Sequence, residues 1–421
     1  MHTEATCRLV WIGGNEMHPR RLIVCFDGTW NTPDNGSTPT NVVKLLRAIK
    51  AQDGDISQVV FYDKGVGTGG FTDRIAGGAS GAGLTENVID GYRFLGNNYA
   101  PGDEIYIFGF SRGAYTARSL GGLIALAGTL CPVHLGGDLA KVIEIYRDPE
   151  TDGEGKKAQI AALGLTQCHD TRIRCIGVWD TVGSLGIPGD LGRKMLPKSY
   201  HFNDTMLSPK VDVALHGMAI DEKRSAFSPT MWVRKKGTAP TAGQIVEQVW
   251  FSGVHSNVGG SYENTGLSDI ALDWMTKRVA KHTPLALDTD YLAGICKPDV
   301  AGVGYESRTT LYMDSKAFPY QRLINQTVPK GSGVGEWFRK TFKDWDRRSI
   351  IPDDAETINE ALHISALERR KLPEVPQDCP EDSVKMRPYR PVNLEAAVAA
   401  RSVPVVGWDG EPMTPDAIPW D

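Results

Sequence analysis

The run Glu104-Ile105-Tyr106-Ile107-Phe108-Gly109-Phe110 is apolar after its first residue and passes into an alanine- and leucine-rich stretch with only Ser111-Arg112-Gly113 between them. So short an apolar run fits a strand buried on both faces, whereas the stretch over Ala114 to Leu130 fits a helix. A strand that becomes a helix within three residues must turn sharply. Gly109 and Gly113, two before and two after Ser111, keep such a turn sterically possible.

The same alternation continues on both sides of that junction. Arg21-Leu22-Ile23-Val24-Cys25-Phe26, stopped by Asp27-Gly28, reads as a central parallel strand. A helix around Asn41 to Lys50, a strand over Gln58 to Tyr62 and a glycine-rich loop from Gly65 to Gly83 follow. Glu86 to Tyr99 then places Val88, Ile89, Tyr92, Phe94 and Leu95 at mostly helical spacing. Further strands are read over Ile173 to Trp179, Val211 to Ala219 and Val246 to Phe251, and another helix over Leu267 to His282. The succession predicts an α/β-hydrolase fold, an α/β architecture with a mostly parallel central sheet and helices on both faces. Beyond His282 proline and charge become frequent. Residues 1–20 are therefore read as an N-terminal extension, 21–282 as the catalytic α/β-hydrolase domain, and 283–421 as a peripheral, loop-rich cap with a Pro-rich C-terminal region.

Composition excludes more than it assigns. A chain of 421 residues fills one large core with material to spare, since single cores stop growing at roughly 250 to 300 residues. A net charge of -5 and an isoelectric point near 6.0 supply no global field for nucleic acid, and none is expected as partner. Met1 to Arg20 is interrupted by Glu4, Arg8, Glu16 and Arg20 and lacks the apolar core of a cleavable signal peptide. No later run approaches the roughly 18 uncharged apolar residues of a membrane-spanning helix. Synthesis and folding in the cytoplasm are expected, and any export would use a signal-independent route. The seven cysteines stand singly with no CxxC pair, which fits reduced thiols. No histidine or cysteine cluster has metal-ligand spacing, and neither metal nor cofactor is expected.

A serine hydroxyl is a weak nucleophile until an imidazole can take its proton. With 46 glycines in the chain the G-x-S-x-G pattern is weak by itself. The strand before it and the helix after it carry the assignment of Ser111 as nucleophile, at the carboxyl edge of the sheet with a helix N-terminus beneath. The N–H groups of Arg112 and of Gly28-Thr29, on a loop closing an earlier strand, are candidate oxyanion donors. Asp27 would brace that loop, although an ordinary Asp-Gly turn explains it equally well. In this fold acid and base follow the nucleophile in the order carboxylate, histidine. Asp180 closes the strand Ile173 to Trp179, and His255 sits where a strand runs into a glycine-rich loop. A capping aspartate and a solvated loop histidine are the ordinary alternatives. His216 with Asp221 is a competing pair, but His216 falls inside an apolar run where a hydrogen-bonded core histidine is expected.

Phe26-Asp27-Gly28-Thr29-Trp30-Asn31, Gly65-Val66-Gly67-Thr68-Gly69, Gly109-Phe110-Ser111-Arg112-Gly113-Ala114, Gly177-Val178-Trp179-Asp180-Thr181-Val182 and Gly253-Val254-His255-Ser256 occur in that order. Together they resemble the DUF2235 family of α/β hydrolases, whose best-known members are phospholipase effectors of the bacterial type VI secretion system. The likeness spans residues 21 to 280. It implies a Ser-Asp-His triad at Ser111, Asp180 and His255 and hydrolysis of a phospholipid or another lipid ester. It also implies contact with a membrane surface and, as protein partners, a secretion-system component or an immunity protein. Asn257 stands where an acidic residue is expected in relatives.

Three other readings stand beside this one. Cys25-Phe26-Asp27-Gly28-Thr29 is close to the DxDGT motif of haloacid-dehalogenase-type phosphatases, but that chemistry needs an aspartate where this chain has Cys25. A lapsed triad would leave a binding or toxin scaffold. In Trp337 to Arg348, Phe338, Phe342 and Trp345 share one helical face among basic residues, which suits packing on the core or an interfacial helix on lipid.

Overall fold

A computed structural model describes residues 19–28, 38–65, 79–165, 167–168, 171–183, 206–308, 319–329, 349, 351–379 and 383–420. Nine strands form the main sheet: β1 (Arg21–Phe26), β2 (Gln52–Asp53), β3 (Ile56–Asp63), β4 (Glu104–Phe110), β5 (Ile173–Trp179), β6 (Val211–Ala219), β7 (Ile245–Phe251), β8 (Glu360–His363) and β9 (Val405–Val406). Their order is β9-β8-β7-β6-β5-β4-β1-β3-β2. Every neighbouring pair is parallel except β2 with β3.

Side-chain alternation along β1 shows why the sheet is covered twice. Leu22, Val24 and Phe26 join a cluster with Val88, Tyr92 and Leu95 of α2 (Ala79–Asn98) and Ala114, Ala117 and Leu120 of α3 (Arg112–Ala127). Ile23 and Cys25 point the other way, to Val42 and Leu45 of α1 (Asn41–Ala48) and to Leu267, Ile270 and Trp274 of a long helix at Gly266–His282. With both faces buried, strand after strand reads as a continuous apolar run, and the expected mostly parallel α/β architecture is the observed one.

The chain leaves β1 for β3 on one side and then crosses to β4 on the other. Such a reversal opens a crevice at the carboxyl ends of the strands, where α/β sheets hold their ligands. Because β1, β4, β5, β6 and β7 are parallel, their carboxyl ends share one edge.

Two expectations need correction. The glycine-rich stretch read as a loop to Gly83 is helical from Ala79, the weak propensity of Gly81, Gly83 and Gly91 having hidden the start of α2. More consequentially, 283–421 is no peripheral cap. It supplies β8 and β9 to the main sheet, and Leu362, Leu367, Leu394 and Val405 pack with Met218 and Trp250 in a third apolar cluster. Strands of four and two residues are too short for alternation to register. The aromatic stripe over Trp337 to Arg348 lies outside the described residues.

Candidate active site

Ser111 closes β4 with φ 60° and ψ -123°, a conformation costly for a side-chain-bearing residue. Its N–H donates to the Trp179 carbonyl of β5 at 3.1 Å. The bracketing glycines permit this turn for a definite reason. A Cβ on Gly109 would lie 2.5 Å from the Gly113 carbonyl oxygen, and one on Gly113 would lie 2.3 Å from that of Phe26. The start of α3 therefore touches both β4 and the end of β1, and Ser111 Oγ is presented at the shared edge.

Asp180 follows β5, also at positive φ (40°). Its N–H donates to the Gly217 carbonyl of β6 at 2.7 Å, and Oδ1 accepts from the Ala219 N–H at 2.9 Å. His255 opens the short helix α4 (His255–Gly259) just beyond β7. Asp221 and Gly253 pin the turn before it: the Asp221 N–H donates to the Gly253 carbonyl at 2.9 Å, and the Gly253 N–H donates to Asp221 Oδ2 at 2.6 Å. The His255 ring lies between Phe110, at 4.6 Å between centroids, and Phe227, edge-on at 4.8 Å.

These placements bring the three residues into one chain of hydrogen bonds. His255 Nε2 is 2.7 Å from Ser111 Oγ, and His255 Nδ1 is 2.6 Å from Asp180 Oδ2. Burial pushes His255 below its ordinary value, and the Asp180 carboxylate only partly opposes this. The imidazole is thus neutral, with Nε2 able to take a proton. Burial would raise Asp180, but Arg322, and after it His255, hold the carboxyl well below the usual carboxylate range.

Residues 20–278 match the family model for the type VI secretion system phospholipase effector Tle1-like catalytic domain. The chain belongs to this family. An uncharacterized protein of Saccharomyces cerevisiae is 28% identical over 257 residues, which is 54% of this chain and 36% of that one. Among solved structures, an uncharacterized protein from Pseudomonas aeruginosa is 18% identical, with a TM-score of 0.38, over 76% of this chain and 52% of its own. The Tle1 effector bound to the VgrG spike of the type 6 secretion system is also 18% identical, with a TM-score of 0.33, over 63% and 57%. The chain thus spans about a third of the curated relative and about half of each structure.

The other residues singled out in this Tle1-like sequence fall in distinct places. Asp27 closes β1 and is buried. Its Oδ1 accepts from the Gly28 N–H at 2.7 Å, and its Oδ2 from Thr40 Oγ1 at 2.8 Å and Tyr62 Oη at 3.0 Å. Gly28's N–H is therefore engaged by Asp27 rather than open to an oxyanion, a correction to its expected role. Thr29 lies outside the described residues. Arg112 is the first residue of α3. Cys25, where the phosphatase motif needs an aspartate, is wholly buried within β1. His216 is buried in β6, where its Nε2 accepts from the Thr181 N–H at 3.1 Å, and burial pushes it down to about 3. Asn257 accepts from the Tyr305 N–H at 3.1 Å and donates to the Val303 carbonyl at 3.0 Å, a structural brace beneath α4. Cys25, Cys175 and Cys296 are free thiols. Among the described residues no group of His, Cys, Asp or Glu is placed to hold a metal ion, and no helix is long and apolar enough to cross a membrane.

Sequence reasoning missed two contributors. Glu222 accepts from the His255 N–H at 3.3 Å and pairs with Arg224; burial raises its carboxyl, but Arg224 brings it down to about 2. Arg322 reaches Asp180 itself.

Proposed function

We propose that the protein hydrolyses a carboxylic ester through an acyl-enzyme on Ser111. The observation that carries this reading is the continuous run from Ser111 Oγ through the His255 ring to Asp180 at the carboxyl edge of a parallel sheet. Ser111 Oγ attacks the ester carbonyl carbon while its proton passes to His255 Nε2, and the carbonyl oxygen takes the electron pair. Asp180 fixes the ring and balances the imidazolium. Collapse expels the alcohol, which leaves with the proton from His255, and the acyl group remains on Ser111. Water, deprotonated by the same nitrogen, then releases the carboxylic acid. The N–H of Arg112 and, with Gly28 engaged elsewhere, that of Thr29 are the assigned oxyanion donors.

Membership of the Tle1-like family supports a phospholipid or related lipid ester as substrate, with action at a membrane surface. It equally supports delivery by a type VI secretion system, with a component of that machine and an immunity protein as partners. The test is release of fatty acid from phospholipid vesicles, alongside hydrolysis of a short soluble ester. Ser111→Ala should lower both by about 10⁴-fold or more while the melting temperature stays near wild type. Full turnover in that variant contradicts the proposal, and a phosphomonoesterase activity that survived it would favour the Asp27 loop instead.

A further inference from the structure

Asp180 is wholly buried, so its negative charge has left water and must be met inside the protein. The Asp180–His255 pair does not meet it while the ring is neutral. Among the described residues, the charged or titratable groups facing the pair are few. Glu222, on the His255 side, is neutralised by Arg224 at 2.9 Å. His216, behind Thr181, is uncharged above about pH 3. Among the described residues Arg322 is the cation that remains. Its side chain is 0% exposed, one terminal nitrogen lies 2.6 Å from Asp180 Oδ1, and the other lies 3.0 Å from Oδ2. The same two nitrogens donate to the carbonyls of Ala219 and Phe227, each at 2.7 Å. The guanidinium is thus fixed by β6 and by the segment that places Phe227 against the His255 ring.

We infer that Arg322 is the positioning residue of this centre, clamping Asp180 through both oxygens and setting the proton affinity of the Asp180–His255 pair. The inference rests on the ester-hydrolase reading above. It also assigns a role to a residue beyond the 20–278 family match, in the part of the chain that completes the sheet. With Arg322 present, Arg⁺, Asp⁻ and neutral His sum to zero, and a proton on His255 would bury a net positive charge. Without it, Asp⁻ and neutral His leave a net negative charge, and the proton is welcome. Removing the cation therefore raises the pH at which His255 becomes a base.

The experiment follows fluorophosphonate labelling of the full chain as a function of pH. In that reaction Ser111 Oγ bonds phosphorus, fluoride leaves, and the serine proton passes to His255. Wild type should label at Ser111 and lose rate on the acid side as His255 protonates. In Arg322→Met the acid limb should move up by about 1 pH unit or more. Arg322→Lys keeps the charge but not the two-pronged contact. It should leave the limb near the wild-type position and slow labelling by about tenfold to a hundredfold. An unmoved limb in Arg322→Met, or full-rate labelling in Arg322→Lys, overturns the inference while the serine chemistry stands. If Arg322→Met does not fold, the Arg322→Lys rate decides alone. Wild-type protein that folds but does not label Ser111 overturns the ester-hydrolase reading, and this inference with it.

Discussion

The strand that delivers Ser111 lies between two strands that each end in a buried aspartate, and the two corners are built in opposite ways. At the end of β5, Asp180 meets a guanidinium on both oxygens and is held well below the usual carboxylate range. At the end of β1, Asp27 meets, among the described residues, only neutral donors, from Gly28, Thr40 and Tyr62, and burial raises it to about 6 in spite of them. Residue type, sheet edge and burial are shared, so the partner's charge makes the difference. A carboxylate held ionised in this way can balance an imidazolium, whereas burial raises the proton affinity of Asp27. Asp27 serves instead to fix the loop after β1.

The largest effect expected from this contrast is on rate. Asp180→Asn should lower Ser111-dependent turnover by about 10³- to 10⁴-fold, since an amide neither selects the right ring tautomer nor balances the charge. Asp27→Asn should cost far less, and equal losses would erase the distinction between the corners. A packing control sharpens it. Leu362→Ala, in the third cluster, and Leu22→Ala, on β1 in the first, should each cost about 2–5 kcal/mol of unfolding free energy in denaturant titrations. A negligible loss for Leu362→Ala would mean that the late segment is not part of the same cooperative core.

The smallest effect concerns pH. Asp27 holds its proton to about pH 6 in the folded state, against an ordinary value of 3.8. Its contribution to stability is then fully present below about pH 4 and lost as pH rises through 6. Asp180 has the opposite sign, stabilising above its unfolded value and losing that as pH falls. Asp27→Asn should accordingly melt higher than wild type at pH 8 and lose that advantage at pH 4. A difference of the same size at both pH values would contradict the assignment.

What could be read from the sequence follows from distance along the chain. Ile173–Trp179 and Glu104–Phe110 were readable as strands because burial on both faces leaves an unbroken apolar run, and the order of Ser111, Asp180 and His255 along those strand ends led to residues that meet in space. Arg322 could not be found that way. It lies 142 residues from Asp180, and nothing in Tyr320-Gln321-Arg322-Leu323 distinguishes it among the chain's 46 basic residues. Charge bookkeeping around a buried aspartate demands some cation, but only the fold says which. β8 escaped notice for a related reason. Glu360 and His363 are polar ends of a four-residue strand, and Glu360 is accommodated by the Trp250 indole N–H at 2.8 Å, a contact no local pattern announces.

The central claim is that His255 activates Ser111. Fluorophosphonate treatment of the folded protein, followed by peptide mass mapping, tests it most directly. A single adduct on Ser111, absent from His255→Ala, is the predicted result; a folded protein that carries no adduct there, or labels equally well without His255, would contradict the account.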